Sequence, residues 1–484
     1  MPISTNLSTL DPAESQDVVT NDFMALTFEG LVGFGPTNAI EPRVAKSWTI
    51  SPDGRVYTFH IRPNVTFSNG KSLTAADVQA TWERNCAPGK GSPLPANYLG
   101  DIDGVTDRLA SRAPSIRGVK VIDPLTLQVT LAQPRPYFLA KLAYPLAMIL
   151  PSGTGPIRST AQMIGSGPFI PQTFEPNGST ILTANPRYWQ GSPALRKLTL
   201  TVVADPTTKI NLFRTGRLDT CGLTQFEIPT IKKEFTVISS DRAAIFYIGM
   251  NGTVYPPFSD VRVRRAFVMA VDRDRVVRDV LGGIGTPAHG ILPPTIPQTP
   301  RPKPWIPFDI AGARKLIEAS GWKGKLPPLD LWVSDQNGDR RRAAELVVSM
   351  LRDALGVDAR LRPAEANVVI AKGTKRELGF FFGSWYADYL DPENFLSGLL
   401  SAHGQDRTAW QDAEFTQLCD EADACPDPTR RAELYARAED RVLTEAPWIP
   451  LYFPQEAVAI QPWVKGLESN AFGFMPSIHV TVTP

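Results

Sequence analysis

The first half of the chain alternates apolar and polar positions in short segments that are typical of β-structure. Residues 56–61 and 125–131 both place an apolar side chain at every second position. This two-residue period predicts strands that bury one face. The sequence from Thr74 to Asp77 matches the capping-box pattern and predicts a short helix after it. We therefore expect residues 36–160 to form a β-rich unit.

The second half of the chain combines helical spacing with short apolar strands. Asp260, Asp272 and Asp309 each stand directly before a segment with helical spacing of its apolar residues, and aspartate is a favoured N-cap. Predicted strands stand between the helical segments at 329–333, 359–362 and 378–382. This rhythm is typical of helices that cover a parallel or mixed sheet. We therefore expect a separate α/β domain in the second half.

Composition and charge exclude several classes of protein. Of the 484 residues, 43% are hydrophobic and 20% are charged, which is the balance of a globular protein and excludes a disordered chain. No segment approaches the roughly 18 uninterrupted apolar residues of a membrane-spanning helix. The 50 lysines and arginines against 49 aspartates and glutamates leave no net field that would attract nucleic acid. We expect no nucleic-acid partner.

The sequence lacks the motifs of the common enzyme and metal sites. It has no Gly-x-Ser-x-Gly elbow and no phosphate-binding Gly-x-x-x-x-Gly-Lys segment, and its four histidines are far apart. We predict no catalytic residue, no metal site and no cofactor; a hydrolase with dispersed carboxylates is the less favoured alternative. Cys419 and Cys425 are close enough in sequence to form a disulfide, and a bridge and two buried thiols are left as alternatives.

A series of short segments, in order along nearly the whole chain, carries the clearest functional signal. They include Leu-Asp-Pro at 10–12, Phe-Glu-Gly-Leu at 28–31, Ser-Pro-Asp-Gly at 51–54, Gly-Ser-Gly-Pro-Phe at 165–169, Asn-Pro-Arg-Tyr-Trp at 185–189 and Ala-Val-Asp-Arg at 270–273. Their order and spacing resemble the peptide/nickel class (family 5) of extracytoplasmic solute-binding proteins. Most of them also have a structural interpretation, such as a β-turn at 51–54. They indicate the family and no ligand contact.

The resemblance implies an α/β fold, a two-lobed periplasmic-binding-protein clamshell with an extra β-rich subdomain on the first lobe. The expected limits are 1–35, 161–250 and 458–484 for lobe I, 36–160 for the inserted subdomain, and 251–457 for lobe II. Two hinge strands are expected to join the lobes, near 246–251 and 457–461.

The same resemblance implies a receptor of an ATP-driven ABC importer rather than an enzyme. Such a protein captures a solute between its lobes, here a peptide or peptide-like ligand, and delivers it to a membrane permease. We expect a monomer in the periplasm or at the cell surface. Residues 1–3 are neither basic nor part of a long apolar run, so either the protein is cytosolic or its export signal is absent from this sequence. The resemblance favours the second alternative.

The segment 383–395 is the most informative for ligand binding. It follows the apolar run 380–382, so we expect it at the C-terminal end of a strand, where α/β sheets present ligand-binding loops. In family members that bind peptides, a similar Trp-x-Ala-Asp-Tyr segment pairs its aspartate with the α-ammonium group of the peptide. The resemblance carries that role to Asp388, with Trp385 and Tyr386 as flat surfaces beside it. The alternative is that Asp388 only caps or bends the following turn.

Other positions leave the identity of the solute open. Asn251, at the end of an expected hinge strand, is a further candidate for ligand binding. Ser334 stands where dipeptide binders of the family carry a carboxylate-binding arginine, which counts against a dipeptide held at both ends and leaves a longer peptide open. A nickel chelate is an alternative because Trp385 and His403 resemble part of a neighbouring branch, although Leu390 stands where that branch has tyrosine. An opine or an oligosaccharide is also an alternative.

Overall fold

The chain crosses between two structural units at two places. A computed structural model describes residues 1–89, 91–297, 306–334, 338–475 and 478–483. The first unit consists of Met1–Ser239 together with Ala457–Pro484, and the second unit is Ser240–Glu456.

Short strands dominate the first unit, whereas the second unit alternates strands with longer helices. The strands are β1 (Pro2–Ile3), β2 (Val32–Phe34), β3 (Ile40–Pro42), β4 (Ala45–Ile50), β5 (Val56–Ile61), β6 (Val119–Asp123), β7 (Thr126–Thr130), β8 (Phe169–Phe174), β9 (Ser179–Ala184), β10 (Lys197–Val202), β11 (Thr220–Leu223), β12 (Thr236–Asp241), β13 (Ala244–Met250), β14 (Thr286–Pro287), β15 (Leu329–Ser334), β16 (Ala359–Ala364), β17 (Phe380–Tyr386), β18 (Trp448–Phe453), β19 (Gln455–Ile460), β20 (Val464–Lys465), β21 (Glu468–Asn470), β22 (Gly473–Met475) and β23 (Thr481–Val482). The α-helices are α1 (Val18–Thr27), α2 (Ala75–Asn85), α3 (Leu94–Leu99), α4 (Val105–Leu109), α5 (Phe138–Lys141), α6 (Pro206–Arg214), α7 (Ile228–Ile231), α8 (Val261–Met269), α9 (Arg273–Leu281), α10 (Ile310–Ser320), α11 (Gly338–Leu355), α12 (Ala366–Thr374), α13 (Ser397–Leu400), α14 (Ala413–Ala424) and α15 (Pro428–Glu445). Short 3-10 helices lie at Pro12–Glu14, Pro145–Ala147, Thr160–Gln162, Pro256–Ser259 and Pro392–Asn394.

The first unit contains the antiparallel four-stranded sheet β4-β5-β7-β6. In β5, Tyr57, Phe59 and Ile61 are at most 2% exposed and the residues between them are partly exposed, so the predicted one-sided burial is confirmed. Helix α2 begins after Thr74, whose backbone N–H donates to the Asp77 carboxylate at 2.9 Å. This contact confirms the predicted helix start. The limits 36–160 of a β-rich subdomain stay a prediction.

Two further sheets of the first unit have the orders β1-β10-β9-β8 and β11-β19-β12. The first of them packs with α1, where Phe23 and Met24 are buried together with Phe169 of β8 and Leu182 of β9. The chain passes from one unit to the other within β12 and again within β19.

The second unit is built on a mixed six-stranded sheet with the order β14-β18-β13-β17-β15-β16. Strand β15 is parallel to β16 and β17, whereas β13 is antiparallel to β17 and β18. Helices α8 to α11 contribute to a core on one face of this sheet, where Phe246 and Phe380 are buried with Phe267 and Val347. The prediction of helices covering a mixed sheet is confirmed.

Strand β13 belongs to the second unit, whereas residues up to 250 are predicted above to belong to the first lobe. All its residues are buried, and its partners β17 and β18 both lie in the second unit. The boundary depends on pairing with strands far away in the sequence, which no local pattern indicates.

Aspartate N-caps begin the three helices for which the sequence predicts them. Asp260, Asp272 and Asp309 accept hydrogen bonds of 2.8 to 2.9 Å from backbone N–H groups in the first turns of α8, α9 and α10. Each carboxylate satisfies an N–H group that has no partner within its helix.

Two findings concern thiols and membrane segments. Cys419 is buried and Cys425 half-buried, and both are free thiols, as in the alternative without a disulfide.

Within the described ranges, no helix is both long and apolar enough to span a membrane.

Candidate ligand site at the end of strand β17

The predicted ligand-binding segment lies at the C-terminal end of a central strand. Strand β17 runs on to Tyr386, because Ala244 to Met250 of β13 pair with it along its whole length. Trp385 is therefore a strand residue, not a loop residue as the sequence analysis expects. Asp388 follows two residues after the strand, beyond Ala387, whose N–H donates to Ala243 O at 2.7 Å.

Trp385 and Tyr386 leave the strand on opposite faces of the sheet, since side chains alternate along a strand. Tyr386 stands edge-on to Phe246 with ring centroids 6.0 Å apart, and the guanidinium of Arg242 lies 5.9 Å from the centre of its ring. Tyr386 is 38% exposed. The ring of Tyr386 is therefore an accessible aromatic surface at the end of the sheet.

A buried asparagine connects two of the predicted site residues. Oδ1 of Asn394 accepts hydrogen bonds from the indole Nε1 of Trp385 at 3.0 Å and from the backbone N–H of Asp388 at 3.1 Å. Asn394 ends the 3-10 helix Pro392–Asn394 and is 5% exposed.

A buried ion pair anchors the same loop to helix α15. Arg431 donates to both carboxylate oxygens of Asp391, at 2.8 and 2.6 Å, and Asp391 also accepts from the backbone N–H of Glu393 at 2.9 Å. Burial alone lowers the pKa of Arg431, but the charge and hydrogen bonds of Asp391 outweigh burial and raise that pKa. Asp391 therefore holds the loop in place.

Asn251 has a structural task in the turn after β13. Its Oδ1 accepts from the backbone N–H and the hydroxyl of Thr253 at 2.9 and 2.7 Å, and its Nδ2 donates to Arg376 O at 3.0 Å. Its exposed fraction is 0%. The side chain is thus buried and engaged in the turn, and the ligand role expected of Asn251 stays a prediction.

Two arginines lie at this end of the sheet, although the expected position carries none. Ser334, the position without the expected arginine, ends the neighbouring strand β15 and is 5% exposed. Arg340 donates to Ser384 Oγ at 3.1 Å and lies 5.2 Å from the centre of the Phe246 ring. Arg242 pairs with Glu456 at 2.6 Å. Arg340 and Arg242 thus lie near β17, although position 334 itself is a serine and not an arginine.

His403, considered above for a nickel chelate, is a surface residue. Its side chain is 74% exposed, and its Nε2 lies 3.8 Å from Asp420. In the part of the chain that the structure describes, no group of three or more His, Cys, Asp or Glu side chains is arranged to hold a metal ion.

Comparison with known proteins identifies the family. Residues 39–407 match the family model of the bacterial extracellular solute-binding proteins, family 5 Middle. The chain belongs to this family. The dipeptide-binding protein DppE of Bacillus subtilis is 29% identical over 466 residues, which cover 92% of this chain and 85% of DppE. The periplasmic oligopeptide-binding protein OppA of Salmonella typhimurium is 28% identical over 481 residues, which cover 95% of this chain and 88% of OppA.

A solved peptide-binding protein has the same fold. The structure of the Escherichia coli murein tripeptide binding protein MppA matches with a TM-score of 0.85 at 25% identity, over 100% of this chain and 98% of MppA. The expected family and the α/β, two-lobed fold class are therefore confirmed. The family and these relatives are binding proteins.

Sequence reasoning missed the residues that support the loop. Asn394 lies inside the segment 383–395, yet its residue type does not indicate that it accepts hydrogen bonds from Trp385 and Asp388. Arg431 is 40 positions away from Asp391, and no spacing rule connects them. The Asp-Pro pair at Asp391 is a local signal of a turn, but it does not indicate that Arg431 binds Asp391.

Proposed function

We propose that this chain is the extracytoplasmic receptor of an ATP-driven importer and that it binds a peptide or peptide-like solute without chemically changing it. It acts as a monomer and delivers its ligand to a membrane permease. The names of DppE, OppA and MppA, which describe a dipeptide, an oligopeptide and a murein tripeptide ligand, support the peptide class. The β-rich subdomain 36–160 is part of the proposal and is supported by the sheet β4-β5-β7-β6.

The observation that carries the proposal is the position of Asp388. It lies two residues after the end of β17 in a loop held by Asn394 and by the Asp391–Arg431 pair. A carboxylate accepts charge-assisted hydrogen bonds from an ammonium group, and the arrival of the ligand's positive charge compensates for its own desolvation. Asp388 therefore anchors the amino end of the ligand.

Trp385 and Tyr386, the last two residues of β17, provide flat aromatic surfaces beside that anchor. The half-buried ring of Trp385 is tied to the loop that carries Asp388, so it is the nearer partner of the ammonium site. Tyr386 presents its exposed ring on the other face of the sheet. Rigid aromatic side chains gain contact area at a low cost in conformational entropy.

Mass spectrometry of solutes that copurify with the protein identifies the ligand, and calorimetry then tests the anchor. A free-amine peptide is compared with the same peptide acetylated at its amino end, on the wild type, Asp388→Asn and Asp353→Asn. Asp353 is exposed on α11, so Asp353→Asn makes the same chemical change at a position away from β17.

We expect acetylation and Asp388→Asn each to weaken binding by at least about tenfold, since a hydrogen bond to a charged group contributes about 1.5–3 kcal/mol. Combining them should add little, because both remove the same interaction. Asp353→Asn should bind as the wild type. Copurification of a metal chelate, an oligosaccharide or another solute without an ammonium group would overturn the peptide assignment. Unchanged affinity of Asp388→Asn for the free-amine peptide would remove Asp388 from the site.

A further inference from the structure

We propose that Asn394 is the positioning residue of this site, because its one amide oxygen fixes the Trp385 ring and the Asp388 backbone relative to each other. The inference rests on the proposed function, in which Trp385 and Asp388 contact the ligand. In this proposal Asn394 does not itself contact the ligand. Its effect on binding passes through the two residues that it holds.

The hydrogen bonds assign the orientation of the amide. The two groups facing Asn394 are the indole N–H of Trp385 and the backbone N–H of Asp388, at 3.0 and 3.1 Å. Both groups can only donate, so the atom between them is the carbonyl oxygen and not the nitrogen. Both distances lie in the normal range for N–H to O hydrogen bonds. One oxygen thus accepts from a side chain of the strand and from the backbone of the loop.

The oxygen is itself held in place. Asn394 is 5% exposed, and its backbone N–H donates to Asp391 O at 3.1 Å. Asp391 is fixed in turn by the two hydrogen bonds from Arg431 of α15. A chain of contacts therefore runs from a long helix through the 3-10 turn to the end of β17. This support limits the movement of the Asn394 side chain, as preorganisation of a binding site requires.

The consequence for ligand binding follows from the geometry. A hydrogen bond at the indole edge fixes the plane of the Trp385 ring while leaving its faces for contact. The bond to the Asp388 N–H sets the backbone direction from which the carboxylate projects. Without the Asn394 oxygen, both groups sample more orientations, and ligand binding has to order them again.

The test combines affinity with a spectroscopic signal. Calorimetry measures binding of the free-amine peptide to the wild type and to Asn394→Ala, each with and without Asp388→Asn. The 1H–15N resonance of the Trp385 indole, assigned through Trp385→Phe, reports its hydrogen bond in the ligand-free protein. Asn185→Ala is the matched control, since Asn185 is also buried and also bonds loop backbone. It lies in the other unit.

We expect Asn394→Ala to weaken binding by about tenfold, the equivalent of one or two neutral hydrogen bonds. Part of that loss should disappear in the Asp388→Asn background, because Asn394 acts in part through Asp388. The indole resonance should move upfield in Asn394→Ala and stay near its wild-type position in Asn394→Asp, which keeps an oxygen there. Asn185→Ala should change neither the affinity nor the resonance.

The inference would be overturned if Asn394→Ala leaves the affinity for the peptide unchanged or leaves the Trp385 indole resonance in place. It would also be overturned if Asn394→Ala lowers the affinity equally with and without Asp388→Asn. If Asn394→Ala does not fold, Asn394→Ser takes its place, since the shorter hydroxyl cannot reach both donors. Failure of the proposed function is recognised separately. The wild type then binds no free-amine peptide, or binds it independently of Asp388, while the indole resonance still reports on the Asn394 contact.

Discussion

A buried glutamate makes the stability of the second unit depend on pH. Glu439 of α15 is 3% exposed, and its Oε1 accepts from the backbone N–H groups of Ile291 at 2.7 Å and Leu292 at 2.9 Å. Burial raises its pKa from 4.5 to about 7. The two hydrogen bonds oppose this rise because they favour the ionised form, and the charge of Asp440 adds to it.

The sign follows from the proton balance. The folded protein holds the Glu439 proton more tightly than the unfolded chain, so protonation stabilises the fold. This contribution is fully present below about pH 4.5 and is lost as the pH rises through about 7. A difference between 4.5 and about 7 in pKa corresponds to about 3 kcal/mol. Of this, about 2.5 kcal/mol is lost between pH 5 and pH 8.

Urea denaturation at pH 5 and pH 8 gives the free energy of unfolding of the wild type and of Glu439→Gln. The glutamine keeps an oxygen that can accept both backbone hydrogen bonds but cannot ionise. Relative to the wild type, Glu439→Gln should therefore gain about 2.5 kcal/mol in free energy of unfolding between the two pH values. Glu433→Gln on the same helix, where the side chain is 59% exposed, is the control and should show no such gain. If the free energy of unfolding differs between the wild type and Glu439→Gln by the same amount at both pH values, the reasoning is refuted.

Two further predictions concern the packing around β17. Arg431→Met strands the buried Asp391 carboxylate, so we expect a loss of about 3–5 kcal/mol in free energy of unfolding. Denaturant unfolding should show part of this loss recovered in Arg431→Met/Asp391→Asn, and no recovery would contradict the ion-pair explanation. Gly383→Ala places a Cβ 2.6 Å from Tyr247 Cζ on β13, so overpacking should destabilise the fold by about 1–3 kcal/mol. Thermal unfolding should show no comparable loss in Gly155→Ala, where a Cβ meets nothing within 4 Å, and equal behaviour of the two variants would disprove the steric argument.

Local interactions explain what the sequence determined by itself. The alternation in β5 and the caps at Asp260, Asp272 and Asp309 depend on neighbours a few residues away, so periodicity and residue type are enough to predict them. The ordered motifs from residues 10–12 to 270–273 indicated the family, which the match over residues 39–407 confirms. Membership of the family in turn implies the α/β, two-lobed fold class.

Tertiary structure decided the boundary of the second unit and the support of the candidate site. Strand β13 joins the second unit because its partners β17 and β18 begin more than a hundred positions later in the chain. The resemblance drew attention to Trp385 and Asp388, whereas only the structure shows that the side chain of Asn251 closes a buried turn. Asn394 and Arg431 acquire their roles only when the loop folds back against β17 and α15. Hydrogen bonds between distant segments depend on where the backbone brings them together, and neither residue type nor spacing along the chain records that position.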